Sequence, residues 1–335
     1  MLDRVYIERD ALCYPSCNEI LTKLGNAEKI IIGDYKEVFS RANQNFRAQK
    51  ENPALILAVN KGRFIYEGAE NCQSFGEKNF YYCSCGKNCT FCCDYCYLQG
   101  MYRSGNIVVF VNQEDCFREA ERLLEEKSSL YLCLSYDSDI FAMEGLLGYV
   151  KRWNDFAGEN ISKGFLCEIR TKSAPVGFFK ENKPNKGIIY AWTVAPQTVI
   201  DTLEKRTASL EARLNAALTA AKNGFQVRLC LDPIMDMGDG LTEKHYREMG
   251  KILKETGLGP LLHSVSTGPF RVPAEYIKLF KKNAPRSPIS WKEYETRNKT
   301  ADYGEEKNRE LNKMAENILL EAGVQKEKIY CWEGK

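Results

Sequence analysis

The chain has 335 residues, a formal net charge of +2 and a hydrophobic content of 44%. This length is enough for one large α/β domain or two smaller ones, with a sizeable buried core. The near-neutral charge excludes a uniformly basic nucleic-acid-binding protein, so a DNA contact would have to be a local basic patch.

The first 78 residues predict an N-terminal α/β extension. Residues 5–8 and 29–32 are typical of short strands, and the segment 15–24, which starts with Pro15, is typical of a helix. Cys13 and Cys17 lie about one helical turn apart. Two small buried side chains explain this spacing better than a metal pair does.

The segment 83–100, CSCGKNCTFCCDYCYLQG, follows a predicted strand at 79–82 and contains six of the chain's 14 cysteines. Cys89, Cys93 and Cys96 form a C-x-x-x-C-x-x-C triplet. Three thiolates on one loop can bind three irons of a [4Fe-4S] cluster and leave the fourth iron open for a substrate or cofactor, whereas four-cysteine clusters transfer electrons. The spacing therefore predicts an iron that takes part in chemistry.

Two other ligand sets remain open on spacing alone. Cys85, Cys89 and Cys92 have the same spacing as the first triplet. Zinc bound by Cys89, Cys92, Cys93 and Cys96 is a further alternative, although zinc pairs are usually separated by a longer loop. No apolar run reaches membrane-spanning length, and many cysteines without a signal-like start predict a reducing, cytoplasmic location.

After the cysteine-rich segment, predicted strands alternate with predicted helices. The strands are expected at 107–111, 130–134, 165–170, 188–194, 226–231 (closed by Asp232 and Pro233), 263–266 and 328–332. The helices are expected from Asn112, as a cap, to 127, and at 141–156, 210–223, 242–256 and 308–322. Such alternation predicts a parallel sheet, either an open barrel or a doubly wound sheet, with ligands at the carboxyl ends of the strands.

The cysteine loop also resembles a known family. Cys89, Cys93 and Cys96 with the following Tyr97-Leu98-Gln99 are similar to the cluster loop of spore photoproduct lyase, a radical S-adenosylmethionine (SAM) enzyme of DNA repair. Further segments match it in kind and order up to about residue 270: Val5-Tyr6-Ile7-Glu8, Tyr14-Pro15, Val109-Phe110-Val111-Asn112, Ser138-Asp139, Arg170-Thr171-Lys172 and 191–235. The resemblance favours the Cys89, Cys93 and Cys96 register and implies bound SAM.

The resemblance implies a domain plan and a set of SAM contacts. It implies a partial (β/α)6 radical SAM barrel at 79–270, after the extension at 1–78 and before a helix and strand segment at 271–335. Ser138, Lys172 and Thr193 match family positions that contact SAM, and the third position is a serine in the family. Asp139 and Asp232 at strand ends would either face the sulfonium or cap helices, and Glu168 and Arg170 would line the barrel mouth or pair with each other.

Three tyrosines are candidate catalytic residues. In the family, tyrosines at the positions of Tyr95 and Tyr97 are implicated in returning a radical toward SAM; without the resemblance they are rings packed beside the cluster. The family's repair enzymes carry a hydrogen-donating cysteine where this chain has Tyr136. Either the Tyr136 hydroxyl or, with a different local register, Cys133 would have to supply the hydrogen.

The function expected from these observations is cleavage of a damaged thymine dimer in DNA by a 5′-deoxyadenosyl radical. The alternatives are a related radical SAM enzyme with another substrate, because Tyr136 replaces the thiol, and a non-enzymatic iron–sulfur or zinc module that binds nucleic acid. An electron donor such as flavodoxin or ferredoxin is implied. The segment 281–304 combines Lys281, Lys282 and further basic residues with Trp291 and Tyr294, which suits either a nucleic-acid contact or a solvated loop.

Overall fold

The computed structural model describes residues 2–68, 72–134 and 136–332. The strands, in chain order, are β1 (Arg4–Glu8), β2 (Glu28–Ile32), β3 (Leu55–Ala58), β4 (Ile65–Glu67), β5 (Phe80–Cys83), β6 (Gly86–Lys87), β7 (Cys92–Cys93), β8 (Ile107–Phe110), β9 (Leu130–Cys133), β10 (Phe165–Thr171), β11 (Ile188–Thr193), β12 (Glu204–Lys205), β13 (Gln226–Ile234), β14 (Ser264–Pro269), β15 (Arg271–Pro273), β16 (Glu295–Arg297), β17 (Thr300–Asp302) and β18 (Ile329–Cys331).

The α-helices are α1 (Pro15–Leu24), α2 (Lys36–Phe39), α3 (Phe46–Glu51), α4 (Leu98–Met101), α5 (Gln113–Lys127), α6 (Glu144–Leu147), α7 (Tyr149–Asn160), α8 (Val176–Glu181), α9 (Gln197–Leu203), α10 (Leu210–Lys222), α11 (Thr242–Thr256), α12 (Ile277–Asn283) and α13 (Glu305–Glu321). Short 3-10 helices lie at Arg9–Cys13, Phe141–Met143, Ile161–Lys163, Gly259–Leu261, Ala274–Tyr276, Pro288–Ser290 and Lys326–Lys328. Across the described ranges, no helix has the length and apolar character needed to cross a membrane.

The larger sheet has eight strands in the order β18-β14-β13-β11-β10-β9-β5-β4. From β5 to β14 the neighbours are parallel and follow chain order, with helical crossovers between them, and this is the partial (β/α)6 barrel that was expected. β18 adds a parallel strand at one edge, and β4 pairs antiparallel with β5 at the other. The carboxyl ends of the six barrel strands therefore lie along the same edge of the sheet.

A second sheet of five strands, in the order β2-β1-β3-β8-β6, forms the N-terminal part of the fold. The expectation that the strand after the cysteine loop joins the barrel was wrong, because β8 pairs in parallel with β3 of this sheet. All four residues of β8 are buried, as in a strand covered on both faces. Such an apolar run does not indicate which sheet it will join.

Most other predicted elements are confirmed, with local differences. The expected helix at 141–156 is divided because Gly148 adopts a left-handed conformation, with φ +68°, between α6 and α7. β13 continues through Asp232 and Pro233 to Ile234, where pairing with β14 resumes after a register irregularity. Asn112 precedes α5 without capping it, since its amide group bonds to the Asn60 backbone and to Asp115.

Of the two N-terminal cysteines, only one matches the prediction of small buried side chains. Cys17 on α1 is fully buried and packs in the core of the N-terminal sheet, together with residues of β1, β3 and β8. Cys13, at the end of a 3-10 helix, is exposed. The pair therefore does not meet around a metal.

Candidate cluster and cofactor site

The cysteine loop is held by backbone pairing at both of its halves. β6 pairs antiparallel with β8 of the N-terminal sheet, and a side chain at Gly86 would approach the Val108 carbonyl to 2.5 Å. β7 pairs with β12, so that Cys93 lies opposite Glu204 and Cys92 opposite Lys205. The loop therefore follows β5 at the mouth of the barrel, where ligands of parallel α/β folds are bound.

Adjacent residues of a strand project to opposite faces, and this separates Cys92 from Cys93. The Cys92 thiol lies in the field of Lys50 and Lys205, whereas the Cys93 thiol lies in the field of Lys172 and Glu204. One zinc ion bound by Cys89, Cys92, Cys93 and Cys96 would need both side chains on the same face. The strand geometry therefore disfavours that tetrathiolate.

The triplet Cys89, Cys93 and Cys96 is brought together at the barrel mouth. Burial raises the pKa of the Cys93 thiol well above its usual range, opposed by Lys172, and both Cys96 and Cys89 lie near enough to raise it further. Burial similarly raises the pKa of Cys89 to about 12. Soft thiolates suit an iron–sulfur cluster, whose irons would compensate the cost of burying these groups as anions. These residues fit a [4Fe-4S] cluster.

Cys85, the first member of the alternative triplet, lies elsewhere. Its sulfur is 3.4 Å from that of Cys83, and Cys83 in turn lies 3.2 Å from Cys116 on α5. All three are buried in the core. Cys85 is therefore occupied in a separate group of thiols, which favours the Cys89, Cys93 and Cys96 register.

A buried ion network lies directly beside the cluster loop. Glu204 is 2% exposed and bonds to Arg213 at 2.5 Å, and its other oxygen lies 4.0 Å from the ammonium of Lys172. Burial opposes ionisation of Glu204, but Lys172 and Arg213 hold its pKa below the usual value. Burial likewise opposes the charged form of Lys172, while Cys93 and Glu204 raise its pKa. Lys172 therefore stays cationic beside the thiols, as a group that binds a carboxylate must.

The three predicted SAM contacts lie at the carboxyl ends of neighbouring strands. Ser138 follows β9, Lys172 directly follows β10, and Thr193 is the last residue of β11. β9 pairs with β10 and β10 with β11, so the three residues line one stretch of the barrel mouth. Hydroxyl groups and an ammonium group in this position can bind the polar groups of an amino acid.

The acidic residues at the strand ends have structural partners. Asp139 accepts hydrogen bonds from the backbone N–H groups of Ala142 and Lys172 and from the Thr171 hydroxyl, so it ties the end of β9 to the end of β10. Asp232 binds the guanidinium of Arg271 at 2.9 Å. Asp139 thereby orients the backbone that carries Lys172.

Glu168 and Arg170 pair with each other, which was one of the two arrangements expected from the sequence. The two side chains are 3.2 Å apart, and Glu168 also binds the buried guanidinium of Arg228. Arg170 lies 3.7 Å from Asp232, so the network joins β10 to β13 at two points. These buried charges compensate one another inside the barrel.

The two tyrosines that flank Cys96 have different environments. The hydroxyl of Tyr95 donates to Glu204, and the ring lies 5.1 Å from the Lys172 ammonium. The hydroxyl of Tyr97 donates to the backbone carbonyl of Tyr136, and the two rings are 5.9 Å apart. Tyr95 therefore belongs to the ion network, and Tyr97 contacts the residue that replaces the family's cysteine.

Tyr136 is part of a row of aromatic rings. It stacks on Tyr82 at a centroid distance of 4.3 Å, and Tyr82 stacks on the partly exposed Tyr66 at 5.4 Å. Burial raises the pKa of Tyr136 well above its usual range, and the neighbouring Cys72 contributes. The phenol is therefore neutral and retains its hydroxyl hydrogen.

Cys72 is one of the residues that sequence analysis missed. Its sulfur lies 3.7 Å from the Tyr136 hydroxyl, although the two residues are far apart in the chain. The only signal in the sequence is a cysteine shortly before the first barrel strand, and its position belongs to no recognisable motif. Cys133, the alternative thiol, is half-buried on β9 near Glu168 and Arg170.

The basic segment at the C-terminal side contains cations held in ion pairs and an exposed part on and after α12. Lys292 binds Asp236 at 2.8 Å, and Arg297 binds Asp302 and Glu305. Tyr294 is partly buried and stacks on Tyr303. Exposed residues remain on and after α12, where the 65% exposed ring of Trp291 lies 5.4 Å from the ammonium of Lys281.

Comparisons with known proteins agree with this geometry. A sequence model of the spore photoproduct lyase family matches residues 1–328. The curated spore photoproduct lyase of Geobacillus sp. (strain Y412MC61) is 25% identical over 308 residues, which cover 90% of this chain and 87% of that protein. The enzyme of Bacillus subtilis (strain 168) is 25% identical over 313 residues, with the same coverage.

Solved structures show the same fold. Spore photoproduct lyase complexed with dinucleoside spore photoproduct superposes with a TM-score of 0.84 at 20% identity, covering 99% of this chain and 98% of that one. A doubly substituted variant with bound AdoMet and dinucleoside spore photoproduct gives 0.81 at 21% identity, with the same coverage. Because the family match extends over nearly the whole sequence, this chain belongs to the spore photoproduct lyase family of radical SAM enzymes.

Proposed function

We propose that this chain repairs spore photoproduct in DNA. The observation that carries the proposal is the family match over residues 1–328, with the three-cysteine loop at the mouth of a parallel barrel. When bound, a [4Fe-4S] cluster and SAM supply a 5′-deoxyadenosyl radical. The solved relatives hold dinucleoside spore photoproduct, and one also holds AdoMet. The two alternatives, another substrate or a non-enzymatic module, are not favoured by this match.

In this proposal Cys89, Cys93 and Cys96 bind the cluster, and Lys172 binds the carboxylate of SAM. The position of Lys172 at the end of β10, near Cys93, supports this assignment. Ser138 and Thr193 offer hydroxyl groups from the two neighbouring strands. A flavodoxin or ferredoxin in the cytoplasm is the expected electron donor.

Hydrogen transfer to the substrate radical is assigned to the pair formed by Cys72 and Tyr136. A thiol gives up its hydrogen atom more readily than a phenol with a strong O–H bond, so Cys72 is the expected donor. The Tyr136 hydroxyl lies 3.7 Å from the Cys72 sulfur, and the Tyr97 hydroxyl donates a hydrogen bond to the backbone carbonyl of Tyr136. Tyr97 is the neighbour through which a radical on this pair would be returned.

The repair activity is tested with dinucleoside spore photoproduct. Anaerobic protein with a reconstituted cluster, SAM and dithionite is expected to convert it to two thymidines, and 5′-deoxyadenosine is measured in the same reaction. A cyclobutane thymine dinucleotide, which has a different linkage, is the matched control and should remain unchanged. Release of 5′-deoxyadenosine without formation of thymines would contradict the proposed substrate and favour another one.

We also propose that the segment 271–335 contacts DNA through α12 and the residues after it. Replacing both Lys281 and Lys282 by alanine is expected to weaken binding of lesion-containing duplex DNA. Each lost phosphate contact reduces the slope of log K against log salt by about 0.9, so the slope should become shallower by up to about 1.8. Binding is measured by fluorescence anisotropy across a salt series.

The matched control for this measurement replaces Lys251 and Lys254, two exposed lysines on α11. This double variant has the same change in net charge at another place. An equal loss of affinity in both double variants would indicate a general charge effect and would contradict a local contact at α12.

A further inference from the structure

Apart from the proposed cluster ligands, the described ranges contain one group of metal-ligating side chains in close contact: Cys83, Cys85 and Cys116. Their sulfur atoms all lie within 4.8 Å of one another, and the residues are 0%, 3% and 0% exposed. Cys83 and Cys85 are two residues apart at the end of β5, and Cys116 lies in the first part of α5. The third thiol thus comes from a separate element that packs against this strand end.

This group is distinct from the cluster triplet. Sulfur atoms that converge within 4.8 Å suit a single ion, whereas a cubane distributes its cysteine ligands over separate irons. The surroundings are a closed core that includes Phe110 and Trp153. A cluster that must accept SAM needs an open side, and these thiols have none.

Two polar atoms beside the thiols lack a hydrogen-bond partner in the described structure. One is the carbonyl oxygen of the Gln113 side chain, which is 1% exposed; its amide nitrogen lies 3.5 Å from the Cys85 carbonyl. The other is the indole N–H of Trp153, which lies beside the Cys85 thiol. A buried acceptor and a buried donor left unpaired are costly, and a bound ion is one of the explanations for such groups.

We propose that Cys83, Cys85 and Cys116 bind a zinc ion, with the side-chain oxygen of Gln113 as a fourth ligand. Three sulfurs and one oxygen supply the four ligands of a tetrahedral zinc ion and leave no open position. The thiols lose their protons on binding, and no oxidant or reductant is required. The Trp153 N–H then donates toward a thiolate.

Charge favours zinc over Cu⁺. Three thiolates with Zn²⁺ leave one net negative charge in the core, whereas Cu⁺ would leave two. A smaller uncompensated charge costs less in an apolar interior. Cys116 lies near the N-terminus of the 15-residue helix α5, whose dipole further favours a thiolate. Oxygen-preferring ions such as Mg²⁺ and Ca²⁺ are disfavoured by the sulfur ligands.

The test uses the full chain with its iron–sulfur cluster in place, produced with zinc in the medium. Zinc content should be one ion per chain in addition to the cluster iron. X-ray absorption at the zinc edge observes zinc separately from iron and requires no substitution. It should give three sulfurs at about 2.3 Å and one oxygen at about 2.0–2.2 Å.

Substitutions then locate the ion. Cys116→Ala places a small apolar side chain in an apolar core and should lose the zinc while keeping the iron and the release of 5′-deoxyadenosine. Cys17→Ala, which alters a buried thiol in the N-terminal sheet, should keep both metals. The proposal is overturned if the unmodified protein holds no zinc, if its zinc shell lacks sulfur, or if the zinc is lost on Cys93→Ala rather than on Cys116→Ala.

Discussion

Replacing Cys93 by alanine is expected to abolish cluster binding and to reduce 5′-deoxyadenosine release to background. Cys93 lies on β7 opposite Glu204, with its thiol in the field of Lys172 and near the thiols of Cys89 and Cys96. Losing it leaves two thiolates for a cubane that three must hold. Iron content, the visible absorption of the reconstituted protein and nucleoside release measure the effect.

Cys92→Ala is the matched control, because it removes the same side chain from the adjacent residue of the same strand. Its thiol projects to the other face, toward Lys50 and Lys205. This variant is expected to keep its iron and its nucleoside release. The opposite result, with iron lost on Cys92→Ala and kept on Cys93→Ala, would assign the cluster to Cys85, Cys89 and Cys92.

Replacing Cys72 by alanine is expected to lower the yield of repaired thymines by about tenfold or more, equivalent to about 1.4 kcal/mol, while 5′-deoxyadenosine release continues. The reason is the contact of 3.7 Å between the Cys72 sulfur and the Tyr136 hydroxyl, at the position where the family's hydrogen-donating cysteine is missing. Product yield and nucleoside release are measured in the same anaerobic reaction, and the ratio of the two reports uncoupling.

Two further variants separate the candidate donors. Tyr136→Phe retains the ring that stacks on Tyr82 but removes the hydroxyl, and Cys133→Ala removes the other thiol considered from the sequence. Both should retain most of the repair yield if Cys72 is the donor. In D2O, deuterium in the product thymine should be lost only with Cys72→Ala. Uncoupling by Tyr136→Phe alone would instead make the phenol the donor.

Local sequence patterns predicted many of the helices and strands well. The limits of α1 and α11 agree with those expected, because Pro15 can occupy the first turn of a helix and because apolar spacing persists through 242–256. The parallel barrel was expected from the alternation of strands and helices. The prediction of one helix at 141–156 was wrong because a single residue, Gly148, changes the backbone geometry between α6 and α7.

The candidate site was predicted only as far as spacing along the chain determines geometry. The three-cysteine loop and the strand ends that carry Ser138, Lys172 and Thr193 could be located because each depends on a few neighbouring residues. Glu204, which holds Lys172 beside the thiols, was missed because its position depends on contacts between distant segments. It pairs with Arg213, and the pairing of β12 with β7 places it opposite Cys93.

The sequence by itself determined that a loop of closely spaced thiols follows the first strand of a parallel α/β fold, since both features arise from local spacing. Only the tertiary structure decided that β8 joins the N-terminal sheet, that Cys85 belongs with Cys83 and Cys116, and that Cys72 meets Tyr136. Most of these contacts join residues distant in the chain. They depend on how the two sheets and α5 pack together, and no repeating pattern along the chain encodes that packing.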